Sequence, residues 1–147
     1  MPCRIVVLSL VLLCASCVAP TAEPPALETL EGTGWLLRAW DRDDPAPDEP
    51  LVTLTYSEGN FAGRSGCNSY SGPVEAGELP GEIVIGPIVS TRMACPEPQM
   101  QTETRYLKNL QAVTKYGIMV GDLALTYQDE TGASRVMLLS PREDSRP

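Results

Sequence analysis

Two strings concentrate the groups that could do chemistry: Gly66-Cys67-Asn68-Ser69-Tyr70 and Ser90-Thr91-Arg92-Met93-Ala94-Cys95, with Glu103 eight residues beyond the second. A thiol, a carboxamide, hydroxyls, a guanidinium and a carboxylate are the materials of nucleophilic and acid–base catalysis, provided that a base stands beside the nucleophile. The chain has no histidine. That absence removes Ser-His-Asp and Cys-His catalysis, zinc sites built on imidazole and haem held by a proximal histidine. Gly63-Arg64-Ser65-Gly66-Cys67 comes close to a nucleophile elbow, but the pattern needs glycine where Cys67 stands, and no base is there to activate Ser65. Asp41, Asp43, Asp44, Asp48 and Glu49 offer oxygen ligands for calcium. Their spacing is not that of an EF-hand and prolines interrupt them, so the expectation is a solvated acidic loop.

The five cysteines sort by place. Cys3, Cys14 and Cys17 belong to an export leader: one charge at Arg4, the stretch Ile5 to Leu13, then Ala15-Ser16 before Cys17. Nine residues are too few to cross a bilayer, which takes about 20. Small residues followed by cysteine are what lipoprotein processing requires, so Cys17 is expected to carry a diacylglycerol and become the new N-terminus. Cys14 stands where leucine is usual, which leaves plain secretory cleavage nearby as the alternative. In an exported chain Cys67 and Cys95 are an even pair and therefore an expected disulfide. Closing that loop is worth about 3–4 kcal/mol in the chain-entropy model.

Without residues 1–16 the chain keeps 131 residues, one domain of ordinary size, and ten basic residues face nineteen acidic ones, a net charge of −9. Such a surface repels nucleic acid and anionic headgroups, so no nucleic-acid partner is expected and membrane attachment falls to the lipid. Residues 17–33, with three prolines and few large apolar groups, read as the lipidated Cys17 and a flexible linker. Residues 141–147, charged and bounded by prolines, read as a disordered tail.

Between residues 34 and 140 the hydrophobic period is mostly two. Trp35 to Trp40, Leu51 to Tyr56, Phe61 to Ser65, Glu82 to Val89, Ile118 to Val120, Leu123 to Tyr127 and Arg135 to Leu139 are the expected strands. The period changes once. From about 97 to 115 helix formers dominate, with Met100, Leu107, Leu110 and Val113 on one face and Thr104 and Ala112 near it. Pro96 and Pro98 suit the first turn and Gly117 the stop. The fold expected is mainly β with one helix: a small antiparallel sheet curled into a barrel, with the helix across one opening.

Gly34-Trp35, Gly63, Gly66-Cys67-Asn68, Tyr70, Gly72, Gly86-Pro87-Ile88, Ser90-Thr91, Met93-Ala94-Cys95, Glu103, Leu110 and Leu123-Ala124-Leu125 together resemble the META domain, the family of the HslJ heat-shock lipoproteins. The resemblance covers nearly all of residues 34–140, and the spacing from the GCN triplet to T-x-M-x-C and the glutamate carries its specificity. It implies a barrel-like envelope domain linked to stress or antibiotic tolerance, with no catalytic activity attached. Pro73-Val74 departs from it, an aromatic residue being usual after the glycine.

Each motif residue has a bland reading beside a sharper one. Asn68 beside Gly66 shapes a turn, with a ligand role as the alternative. Thr91 bonds backbone, with catalysis as the alternative. Glu103 either reaches donors near Cys67 or Asn68 or forms an ion pair with Arg92 or Arg64, the ion pair being favoured. Trp35 and Trp40 pack in the core or at the barrel rim, with a stacking platform for glycan as the alternative. These readings converge on a monomeric, non-enzymatic lipoprotein of the bacterial envelope, facing the periplasm, with the outer membrane preferred. It needs no cofactor or metal and binds an envelope protein or cell-wall component. The alternatives are a carrier of a small apolar ligand inside the barrel, and an inhibitor of an exported hydrolase that presents the 41–50 loop.

Overall fold

The computed structural model describes residues 26–142. The leader, Cys17, the first part of the linker and residues 143–147 lie outside the described residues. A 3-10 turn at Leu27–Leu30 precedes the strands β1 (Gly34–Asp41), β2 (Asp44–Pro45), β3 (Thr53–Ser57), β4 (Asn60–Arg64), β5 (Ser69–Ala76), β6 (Ile83–Ile85) and β7 (Val89–Ser90). The helix α1 (Glu97–Gln111) follows, then β8 (Val113–Met119), β9 (Asp122–Gln128) and β10 (Ser134–Pro141). Antiparallel pairing runs β6-β5-β4-β3-β1-β10-β9-β8, while β2 adds to β1 and β7 to β5. The edges β6 and β8 meet through a bridge between Glu82 and Lys115 and the bond from Tyr116 N–H to the Gly81 carbonyl, 2.8 Å. The sheet is thus a nearly closed barrel, as its two-residue period predicts.

Alternation builds the interior. Leu54 and Tyr56 of β3, Leu123, Leu125 and Tyr127 of β9, and Met137 and Leu139 of β10 point inward, each worth roughly 1.5–3 kcal/mol when fully buried. Trp35 and Trp40 join this core as expected. One close approach demands glycine: a Cβ on Gly63 would stand 2.1 Å from the Thr53 carbonyl oxygen.

Both openings are plugged. Strand directions place the 57–60, 77–82 and 120–121 connections at one end, which we call the lower end, together with Gly34 and Pro141. The 3-10 turn closes it, Leu27 and Leu30 entering the core and Gly32 N–H bonding the Tyr56 carbonyl at 3.0 Å. Residues 27–33 therefore belong to the domain, not to the linker expected there: two leucines three apart bury one face of a single turn. At the upper end α1 crosses the mouth, turning Glu103, Tyr106 and Leu110 inward. The helix stops at Gln111, four residues before the expected end. Val113–Met119 leave it because they extend the sheet beside β9, and Gly117 lies within that strand. Leu107 is half-buried and Thr104 exposed, so the inward face is turned toward Tyr106 from the one expected. Pro141, placed in the tail by its sequence, pairs with Trp35 in the sheet.

Candidate functional site

The strongest polar feature is a junction where α1 meets the loop between β4 and β5. Gly66, at φ +110, makes the bend that only glycine adopts freely, and the next residues turn their polar groups toward the helix. Glu103 Oε2 accepts the Asn68 amide N–H at 2.7 Å and the Ser65 hydroxyl at 2.8 Å, while Oε1 accepts Asn68 Nδ2 at 2.9 Å. The Ser65 hydroxyl also lies 2.9 Å from the Asn68 carbonyl. That carbonyl already takes Ser65 N–H at 2.9 Å, so the single hydroxyl proton goes to the carboxylate.

Asn68 is the hub. Its Oδ1 accepts the Thr91 hydroxyl at 2.8 Å and Met93 N–H at 2.7 Å, and its Nδ2 also donates to the Met93 carbonyl at 3.4 Å. Thr91 Oγ1 in turn accepts Ser69 N–H at 3.2 Å, the backbone role expected for it. The Cys67–Cys95 disulfide spans the same two segments, its Cα atoms 6.0 Å apart. One carboxamide and one disulfide therefore clamp the 91–95 loop from below.

Glu103 forms no ion pair among the described residues, contrary to the reading favoured from sequence. Arg64 Nη2 donates to the Cys67 carbonyl at 3.2 Å instead, and Arg92 is exposed. The backbone-donor reading is the one that holds. Burial pushes the Glu103 pKa up, but hydrogen bonds from the Asn68 side chain and backbone, the Ser65 hydroxyl and Cys67 N–H outweigh it and hold the carboxyl below its ordinary value. The group is an ionised brace, spent on internal donors.

Below it Tyr70 and Tyr106 touch edge to face, ring centroids 5.4 Å apart and hydroxyls 2.7 Å apart. The Tyr70 hydroxyl donates to the Thr53 carbonyl at 3.0 Å, so Tyr106 is the donor between the two. Burial, reinforced by the neighbouring Tyr106, raises the Tyr70 pKa well above the phenol range. Burial raises that of Tyr106 as well, although the bond with Tyr70 opposes it. Both stay neutral at any physiological pH. Ser65, weighed from sequence only as a nucleophile, serves here as a donor to Glu103, and Tyr106 was not singled out at all. Tyr106 stands three residues after Glu103 and four before Leu110, a helical spacing that marks the inward face.

The outward face of the junction differs. Thr91, Arg92, Met93 and Ala94 are all exposed, Met93 to 53%. Met93, a motif residue, is thus held by its backbone while its side chain enters solvent.

The acidic segment is less free than its composition implies. Asp44 pairs with Arg105, whose guanidinium carbon lies 4.5 Å above the Trp40 ring, and Asp41 pairs with Arg135 at 3.1 Å. Ala46 N–H bonds the Arg38 carbonyl at 2.9 Å. Asp41, Asp44, Arg105 and Arg135 wall a groove of about 1000 Å³ between α1 and the Asp129–Thr131 turn. No cluster of carboxylates, thiols or imidazoles among the described residues could hold a metal ion.

A small antiparallel barrel closed by one helix, its polar junction braced by a disulfide, is the class these features define. The META domain model matches residues 28–140, and the chain belongs to the META domain family, a family associated with bacterial envelope proteins. The chain is similar to a Burkholderia xenovorans protein solved by NMR, with 28% identity, 88% of this chain and 95% of that one covered, and a TM-score of 0.62. A second protein solved by NMR, 20% identical over 77% of this chain and 92% of that one with a TM-score of 0.57, shares the fold. The comparison with curated proteins returns no match.

Proposed function

We infer that this chain is a non-enzymatic binding module of the bacterial envelope, lipid-anchored through Cys17, which presents the clamped 91–95 loop to an envelope protein and so contributes to stress or antibiotic tolerance. The carrying observation is that every polar group of the Asn68 carboxamide and the Glu103 carboxylate is turned inward, onto other residues of the domain. What the loop offers outward is a rigid run of Thr91, Arg92, Met93 and Ala94. A preordered loop loses little conformational freedom on binding, which favours affinity. Arg92 is the one charge in that run on a strongly acidic molecule, so the fitting partner has an apolar pocket beside a carboxylate.

Met93→Asp and Arg92→Glu test this reading. Both sites are exposed, so thermal stability should shift by no more than about 0.5 kcal/mol. Partners recovered by crosslinking from envelope extracts with the native chain should be lost with either variant. Equal recovery by all three would overturn the reading, as would turnover of an envelope substrate abolished by Glu103→Gln.

The same loop supports inhibition of an exported hydrolase as a second reading, because a cleft takes an extended, stiff segment. The 41–50 stretch suits that role less, because Asp41 pairs with Arg135 and Asp44 with Arg105. Carriage of an apolar ligand has less support: Leu54, Phe61, Leu110, Leu123, Leu125, Met137 and Leu139 are fully buried in the barrel, while Leu37, Trp40 and Val52 at the edge of the core line a smaller cavity of about 320 Å³.

A further inference from the structure

The lower end of the barrel carries an exposed apolar tip. Ile118, Met119 and Val120 are 45%, 39% and 102% exposed and form the last residues of β8 and the turn into β9. Three consecutive apolar residues facing water at a hairpin tip are out of place unless something covers them. Val120 adds strain. It sits at φ +53 with Gly121 at +89, a turn whose first position ordinarily takes asparagine, aspartate or glycine and which a β-branched residue occupies only at a cost. Leu79, 62% exposed, lies in the neighbouring 77–82 connection. Within that connection Glu82 N–H bonds the Leu79 carbonyl at 3.0 Å, so Leu79 stands in a turn at the same end of the barrel.

The N-terminal chain enters at this same end, since the turn Leu27–Leu30 plugs the lower opening. From Cys17 to Leu27 the chain is ten residues long, about 35 Å at full stretch and about 16–19 Å on average for flexible chain. An anchor at Cys17 therefore holds the apolar tip within reach of the bilayer, and the clamped 91–95 loop faces the opposite way. Glu28, Glu31, Glu58 and Glu78 share this end of the barrel with the tip, so the lipid surface it fits is zwitterionic and not anionic.

We propose that Ile118, Met119 and Val120 form a lipid-contacting foot that seats the domain on a zwitterionic membrane surface and sets its orientation. This rests on the lipid-anchor reading, and the two are separable by experiment. The mass of the Cys17 peptide from the full-length exported protein tests the anchor alone. The foot is tested by an environment-sensitive fluorophore on Val120→Cys or, at the opposite end, on Arg42→Cys, each in the full chain on phosphatidylethanolamine–phosphatidylcholine vesicles. The label at 120 should move to shorter wavelength and be quenched by bilayer-borne quenchers, and the label at 42 should not. Adding phosphatidylglycerol should weaken the effect. If the mass shows no lipid on Cys17, the same labelled chains are titrated with vesicles directly, and absence of any shift at 120 overturns the foot.

Val120→Asn provides an independent arm. It should raise the melting temperature, because asparagine relieves the left-handed backbone, and at the same time weaken vesicle association of a Cys17→Ser chain about three- to tenfold. Unchanged association overturns the proposal. So does shielding of the label at 120 that is equal with and without vesicles, which would assign the tip to a protein partner or a second copy of the chain.

Discussion

Glu103 is where residue-scale physics is most exposed to test. A buried carboxylate accepting only neutral donors keeps its charge by hydrogen bonding, and replacing it with glutamine turns one acceptor into an NH2 group that must face a donor. Glu103→Gln should cost about 2–3 kcal/mol in denaturant unfolding. The sign of the pH effect follows from the depressed pKa. Stability from Glu103 is fully present above its ordinary value of 4.5 and is lost as pH falls through the lower folded value, so the native protein should weaken below about pH 4.5. Asp41 and Asp129 are also depressed, Asp41 by bonds to Arg42 and Arg135 that outweigh its burial, Asp129 by Thr131 and Arg135. The Gln variant should therefore flatten the acid limb without abolishing it, and identical limbs would refute the assignment. That Glu103 matters was readable from its spacing to the two strings. That it braces backbone instead of pairing with Arg64 or Arg92 was not, because a chain's spacing does not say which donors a loop turns inward.

At the scale of elements, the two plugs are unequal in visibility. Helix α1 announced itself by composition, while the turn Leu27–Leu30 hid in a proline-rich stretch that reads as linker. Its worth is testable: Leu30→Ala should cost about 2–4 kcal/mol, the loss of a fully buried leucine, whereas a true linker position would tolerate the change. The helix end was misjudged for a related reason. Val113 to Lys115 satisfy a helical pattern, but β9 supplies a ladder for them, and pairing with a neighbouring strand overrides local propensity. Gly63→Ala should destabilise by several kcal/mol or prevent folding, since its Cβ would meet backbone; a melting curve unchanged within about 1 kcal/mol would contradict the close β3–β4 approach.

For the whole molecule, the disulfide and the carboxamide hold the same loop by different means. Reduction of Cys67–Cys95, 28 positions apart, should lower stability by about 3–4 kcal/mol in the chain-entropy account. Because Asn68 still holds Met93 N–H, the loop should remain protected from proteolysis in the reduced native state, whereas Asn68→Ala with the disulfide intact should admit cleavage near Arg92. Cleavage in the opposite pattern would make the disulfide the principal clamp. The two ends of the barrel also differ: the chain enters below, at the end that carries the apolar hairpin tip, and the motif loop projects above.

Composition and pattern alone determined a great deal: one β-rich domain with a helix, the exclusion of histidine chemistry, the cysteine pair and the family. Each of these depends on counts, periods or short spacings along the chain. Tertiary structure decided what spans long separations. It brought Asn68 to Thr91, Met93 and Glu103, set Tyr106 against Tyr70, and paired Asp44 with Arg105 and Asp41 with Arg135. It also made Met93 an exposed residue on a clamped backbone. Whether a side chain enters the core or faces solvent depends on what the rest of the chain packs against it, and no local pattern carries that information.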